Sequence, residues 1–233
     1  MTLEEKNQND ILNEFNDPND IEFIFSDKPI NRFKTKPELE DKISLLTKLK
    51  NDLQNIKNCK LKESAKNLVF SDGNSNSTIM IVGEGPGQKE DEIGKPFVGD
   101  AGLLLNKMLK AININRQNIY ITNVVNYRPP NNRKPEPAEI TRYSEYLRKH
   151  ISIINPKILI LMGSTAMESL FGSKIKISKE RGNWKEIIIG NKTIPIIITF
   201  NPSYLIRYPD KKKFSWEDLK KIRKKVEDLN IKI

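Results

Sequence analysis

An open α/β fold, a parallel sheet wound right-handedly with helices on both sides, is what this sequence predicts, on three observations. Four short runs, "STIMIVG" (77–83), "NIYITNVV" (118–125), "KILILMG" (157–163) and "IPIIITF" (194–200), are β-branched and almost wholly apolar. Such runs suit strands covered on both faces. Helical stretches separate them, and strand–helix alternation implies parallel pairing. Finally, "GEGPGQKED", "NYRPPNNRKP", "GSTAM" and "NPSYLIR" each follow one apolar run. The loops therefore converge on the carboxyl edge of the sheet, where open α/β sheets hold ligands.

The elements follow in order. From Lys36, "PELEDKISLLTKLKNDLQNI" spaces Leu39, Ile43, Leu46 and Leu49 at three- and four-residue steps, a helical period. After the first strand comes the helix "DAGLLLNKMLKAI" (100–112), with Asp100 as its expected N-cap. The second strand leads to "EPAEITRYSEYLRKHISII" (136–154), and the third to "STAMESLF" (164–171), with Ser164 as N-cap. After the fourth strand a charged helix, "SWEDLKKIRKKVEDL" (215–229), closes the chain.

The 233 residues suit one domain with an appendage: an acidic, flexible leader over 1–35 and a domain over 36–233. Residues 1–30 hold eight acids against Lys6 and Lys28, a balance of −6. The formal charge of the whole is +10, which leaves +16 on the remainder. A surface that basic suits a polyanion such as nucleic acid. The leader has the composition of a disordered or loosely docked tail. No apolar run of eighteen residues exists and the N-terminus is polar, so neither a membrane span nor a signal peptide is expected. A single cysteine, Cys59, excludes internal disulfides and all-cysteine metal sites, and points to a reducing cytoplasm. The single histidine, His150, lies in a helical stretch and reads as structural; a Ser-His-Asp site has no support.

"GEGPGQ" (83–88) has Gln88 where a dinucleotide-binding loop needs its third glycine, and no phosphate-binding lysine follows. The carboxylates Glu84, Glu90, Asp91 and Glu92 could hold a metal or could simply be solvated.

Taken together, "VGEGPGQKEDEIGKPFVGDAGLLLNKML", "YITNVVNYRPPNNRKPEPAEI" and "NPSYLIRYPDKKKFSWEDL" resemble family 4 of the uracil-DNA glycosylase superfamily, over roughly residues 55 to 229. The resemblance implies a three-layer α/β/α sandwich with a central, mainly parallel four-stranded sheet. It implies a monomeric enzyme that flips deoxyuridine out of uracil-containing DNA and hydrolyses the N-glycosidic bond. Phe97 matches the residue that stacks on the flipped base, and Asn123 the one that reads uracil. One carboxamide can accept from N3–H and donate to O4, and a flipped base needs an aromatic face to replace its lost stacking. Gly83 and Gly85 would lie against the uracil, with backbone N–H groups near Gly85 aimed at O2, where charge develops on cleavage. The turn position that is an aspartate in family 1, and usually alanine in family 4, is Gly85. Water orientation would therefore fall to Glu84 or Glu90, with Glu90 preferred by match to the family motif.

Two departures stand out. Most family 4 members carry His-Pro-Ser or His-Pro-Ala in the last loop, where this chain has Asn201; its amide would donate to the leaving uracil. In the same loop Leu205 and Ile206 match the apolar wedge that fills the gap left by the flipped base. Ser203, Arg207, Arg128 and Arg133 would contact DNA. The family also carries a four-cysteine iron–sulfur cluster, whose positions fall on Ile56, Cys59, Tyr127 and Tyr143. One thiolate cannot hold a cluster, so no cofactor and no metal are expected. The different-class alternative is a DNA protein that recognises uracil or abasic sites with little turnover.

Overall fold

The computed structural model describes residues 41–232. The acidic leader and the first residues of the earliest expected helix lie outside them. The described strands are β1 (Asp72–Gly73), β2 (Ile79–Gly83), β3 (Tyr120–Asn123), β4 (Ile158–Met162), β5 (Trp184–Ile189) and β6 (Lys192–Thr199). They form one sheet in the order β1-β3-β2-β4-β6-β5. The four expected runs make its parallel centre, β3-β2-β4-β6. The sheet has six strands, not four, because β1 pairs antiparallel with β3 and β5 antiparallel with β6. Neither edge strand carries a fully apolar run: β1 is two residues long, and β5 alternates buried and open side chains beside solvent.

Helices α1 (Lys42–Gln54), α2 (Lys60–Ser64), α5 (Pro137–Ile154) and α6 (Ser164–Phe171) cover one face of the sheet. The opposite face carries α4 (Asp100–Ala111), α8 (Pro202–Arg207) and α9 (Lys212–Asp228). The strands feed both layers by their two-residue period. Met80 and Val82 of β2 join Tyr143, Leu147 and Ile151 of α5, while Ile79 and Ile81 join Leu105 and Leu109 of α4. Two short helices, α3 (Gln88–Ile93) and α7 (Ile177–Glu180), sit at the carboxyl edge. The caps fall one residue earlier than expected. Gly99 and Gly163 are the N-caps of α4 and α6, which makes Asp100 and Ser164 the first helical residues. No helix among the described residues is long and apolar enough to cross a membrane.

His150 is a core residue. Its Nε2 lies 2.7 Å from the Tyr120 hydroxyl and its ring stacks on Phe70 at 4.6 Å. Burial pushes its pKa down to about 3. In the unfolded chain the ring protonates below about 6.5, so between those values the unfolded state holds the extra proton. Stability therefore falls as pH drops through this window, by up to about 1.4 kcal/mol per pH unit. Melting curves should show the midpoint of the parent falling more steeply than that of His150→Phe between pH 6.5 and 4. Parallel slopes would contradict this assignment.

Candidate active site

A cleft of about 770 Å³ opens at the carboxyl edge. Each parallel strand delivers one wall. β2 runs into the "GEGPG" turn and α3; β3 ends on Asn123; β4 passes through Gly163 into α6; β6 passes through Phe200 and Asn201 into α8.

The floor is set by register. Gly83 and Asn123 are directly paired across β2 and β3. A Cβ on Gly83 would sit 2.6 Å from the Phe97 ring and would overlap the Asn123 carboxamide oxygen. Only glycine lets that ring and that amide meet. Phe97 itself has φ of 53°, a left-handed conformation that a bulky residue rarely adopts. Gly102 supports it from below, since any side chain there would overlap the Phe97 carbonyl. Asn123 lines the cleft; the residue as a whole is 3% exposed, and its carboxamide makes no hydrogen bond among the described residues. Its donor and acceptor are therefore open to a hydrogen-bonding group that enters the cleft. Gly83→Ala should push ring and amide apart. A displacement of about 1 Å of a reacting group costs roughly a hundredfold in rate, so any turnover this cleft supports should fall by that order while far-ultraviolet circular dichroism keeps its shape.

The turn above the floor is pinned by backbone bonds from Val124 N–H to Gly83 O at 3.0 Å and from Val125 N–H to Glu84 O at 3.2 Å. Gly85 has Val125 Cγ2 2.7 Å from where a Cβ would stand, and its own N–H makes no hydrogen bond among the described residues. It is a free donor on the cleft wall.

The two candidate carboxylates part company. Glu90 accepts from the backbone N–H groups of Val98 at 2.9 Å, Gly99 at 2.8 Å and Gly87 at 3.2 Å. It staples the loop that carries Phe97 to the glycine turn, and its buried carboxylate is already committed. Glu90 also lines the cleft, but three backbone N–H groups already occupy its oxygens. Glu84 lines the cleft, half-buried. One of its oxygens accepts from the Thr165 hydroxyl at 2.5 Å, and the other has no partner among the described residues. Thr165 was not singled out in the sequence, although it lies in "GSTAM", one of the four loop motifs.

Asn201 is the N-cap of α8: its oxygen accepts from Ser203 N–H at 2.9 Å, and its NH₂ donates to Met162 O at 3.3 Å. Gly163 admits it, since a Cβ there would stand 3.1 Å from the Asn201 Cβ. The NH₂ group has two hydrogens, and one bond leaves the second for the cleft that Asn201 lines.

The remaining candidates divide by exposure. Leu205 is 1% exposed, packed in the core with α4 and α9, so it cannot act as a wedge. One step further round α8, Ile206 is 45% exposed and can. Arg207 is exposed, lines the cleft and has no ion-pair partner among the described residues; half-buried Ser203 lines it too. Arg133 lines the cleft, but Glu139 takes its guanidinium bidentately at 2.7 and 2.8 Å, which holds the Glu139 carboxyl below its usual pKa. Arg128 does not line the cleft; it donates to Asn132 at 2.7 Å. Arg133 is thus committed to Glu139, whereas Arg128 uses only Nε and keeps its two terminal amino groups without a partner among the described residues.

Comparison with known proteins agrees with the geometry. The profile of the Uracil DNA glycosylase superfamily matches residues 70–222. A type-4 uracil-DNA glycosylase of Thermotoga maritima is 45% identical over 150 residues, 64% of this chain and 77% of its own. One from Sulfurisphaera tokodaii is 42% identical over 187 residues, 76% and 83% of the two chains. Another, from Archaeoglobus fulgidus, is 34% identical over 175 residues, 73% and 88%. The chain belongs to the uracil-DNA glycosylase superfamily and is homologous to its type-4 members.

Proposed function

We propose that this protein removes uracil from DNA as a monofunctional glycosylase, using water as nucleophile and leaving an abasic site. The observation that carries the reading is the Asn123 carboxamide, on the cleft floor, without a hydrogen-bond partner among the described residues and set against the Phe97 ring over Gly83. A flipped uracil offers that amide N3–H to accept from and O4 to donate to. Cytosine would set donor against donor at position 4 and acceptor against acceptor at N3, a mismatch worth far more than a missing methyl group. Phe97 replaces the stacking lost on flipping.

Bond breaking puts negative charge on uracil O2 and positive charge on the sugar. The free N–H of Gly85 and the second hydrogen of the Asn201 amide stabilise the first. Glu84, oriented by Thr165, holds water toward C1′ and favours the cation-like sugar. Water adds there, its proton is lost to solvent or to Glu84, and uracil leaves as an anion that takes up a proton. Ile206 fills the vacated stack, and Arg207 and Ser203 meet phosphate. A reducing cytoplasm suits the protein's one buried free thiol.

Incubation with a uracil-containing oligonucleotide followed by alkali should cut the strand at the uracil. Capture of the oligonucleotide without cutting would instead support a uracil-binding protein, a reading favoured only by the capping bonds that occupy part of Asn201.

The iron–sulfur cluster of family 4 does not fit this chain. Ile56, Cys59, Tyr127 and Tyr143 do come together in the core, all buried. The Cys59 thiol lies 3.3 Å from the Tyr143 hydroxyl, and Tyr127 donates to Leu53 O at 3.3 Å. Burial raises the pKa of both tyrosines and keeps them as neutral phenols. One thiol, two phenols and an aliphatic chain are not the four thiolates a cluster needs. Purified protein should be colourless and free of iron, and Cys59→Ser should melt within a few degrees of the parent. Stoichiometric iron and sulfide would overturn this.

A further inference from the structure

Behind the loop that carries Asn201 lies a buried charge. Asp218 of α9 is fully buried, and a buried carboxylate is costly unless it is paired and hydrogen-bonded. It accepts from the Thr199 hydroxyl at 2.7 Å and from Arg181 Nε at 3.2 Å, and it ion-pairs with the same guanidinium. Packed apolar side chains in place of such a pair are often as stable or more so. What the hydrogen-bonded pair adds is a fixed direction. That direction bears on the two residues leading into Asn201. Thr199 is the last residue of β6, and Arg181 lies over the ring of the next residue, Phe200, at 5.4 Å. The surroundings leave no slack. A Cβ on Gly182, whose φ is 73°, would overlap the Asp218 carboxylate. Gly182 donates to Ile198 O at 2.8 Å, and Lys221 of α9 donates to Gly182 O at 2.7 Å. On the other side of β6, Thr199 O accepts from Gly163 N–H at 2.9 Å. Met162, the register partner of Thr199, accepts the Asn201 amide at 3.3 Å.

A donor aimed at a developing charge works only when its own support is locked by packing and hydrogen bonds. We propose that Asp218 is a positioning residue: through Thr199 and Arg181 it sets the direction in which the Asn201 amide faces the cleft, and with it the rate of base release. Neither Asp218 nor Thr199 lines the cleft, so neither touches substrate. Their effect therefore falls on the rate constant and not on the concentration that half-saturates. For its effect on rate the role rests on the proposed glycosylase reading, but the placing of the amide can be measured without catalysis.

The test uses the full chain. Thr199→Val keeps the outline of the side chain and removes its bond to Asp218, Thr199→Ser keeps the bond, and Asp218→Asn removes the charge. Misplacing a reacting group by about 1 Å costs roughly a hundredfold, so a smaller shift of one donor should cost about tenfold. The single-turnover rate on a uracil-containing oligonucleotide should fall by that factor in Thr199→Val and Asp218→Asn and return in Thr199→Ser. The half-saturating protein concentration should not move. Added to Asn201→Ala, the same two substitutions should leave its rate unchanged, because the group they steer is gone. The second readout is the Asn201 side-chain amide signal in isotope-labelled protein, assigned by its loss in Asn201→Ala. It should shift in Thr199→Val and Asp218→Asn and return in Thr199→Ser. An amide signal that stays in place in both variants overturns the positioning role. So do parent-like rates in an active enzyme, or, where Asn201→Ala is slow, equal losses in the parent and Asn201→Ala backgrounds. A parent that releases no uracil, or an Asn201→Ala protein as fast as the parent, removes the proposed part of Asn201 in catalysis; the amide signal then decides the positioning alone.

Discussion

Asn123→Ala should lower single-turnover uracil release at least a hundredfold and erase most of the preference for uracil over cytosine. The carboxamide lines the cleft and makes no hydrogen bond among the described residues, so its bonding capacity is open to the base. Losing a bidentate contact made inside a water-excluded site removes about 3 kcal/mol or more of transition-state stabilisation. Selectivity falls with rate, because the same two atoms reject cytosine. Thermal stability should change little, since no protein hydrogen bond is lost. This separates the effect from unfolding. A variant that melts like the parent and cleaves like it would remove Asn123 from recognition.

Asn201→Ala should act on two properties at once. As N-cap of α8, Asn201 supports the Ser203 N–H, and loss of such a cap costs about 1 kcal/mol, or roughly 2–4 °C in Tm for a domain of this size. As a donor to the leaving uracil it contributes about 3 kcal/mol, roughly a hundredfold in rate. Asn201→His keeps an N–H that can reach the same oxygen but is a poorer cap. Its activity should equal or exceed the parent while its Tm falls. The structure makes the purely structural alternative concrete, because both ends of the amide already have partners. Should Asn201→Ala lose stability yet cleave like the parent, Asn201 only holds the turn.

How much of this was legible beforehand follows from what each feature depends on. The four central strands were readable because burial on both faces leaves continuous apolar runs. The edge strand β5, with Glu186 and Ile188 open to solvent, leaves no such run. The floor residues Phe97, Asn123 and Gly83 were named from motifs. Why Gly83 must be glycine appears only once β2 and β3 are in register. The partners of Glu90 are backbone groups around Val98, which no residue type announces. Leu205 and Ile206 look alike as an apolar pair. Only the short helix α8 turns one inward and the other out. The Glu84–Thr165 bond spans 81 residues and needed the fold to be seen.

The most direct test is a mass balance on one reaction. Oligonucleotides carrying deoxyuridine, deoxycytidine or thymidine at a single matched position are incubated with excess protein. Free base is measured by chromatography and alkali-labile sites on a gel. One uracil released for each alkali-labile site, with no base released from the other two, is the result expected of a cleft built around Asn123 and Phe97. Retarded DNA with neither free uracil nor alkali-labile sites, or equal release of cytosine, would contradict it.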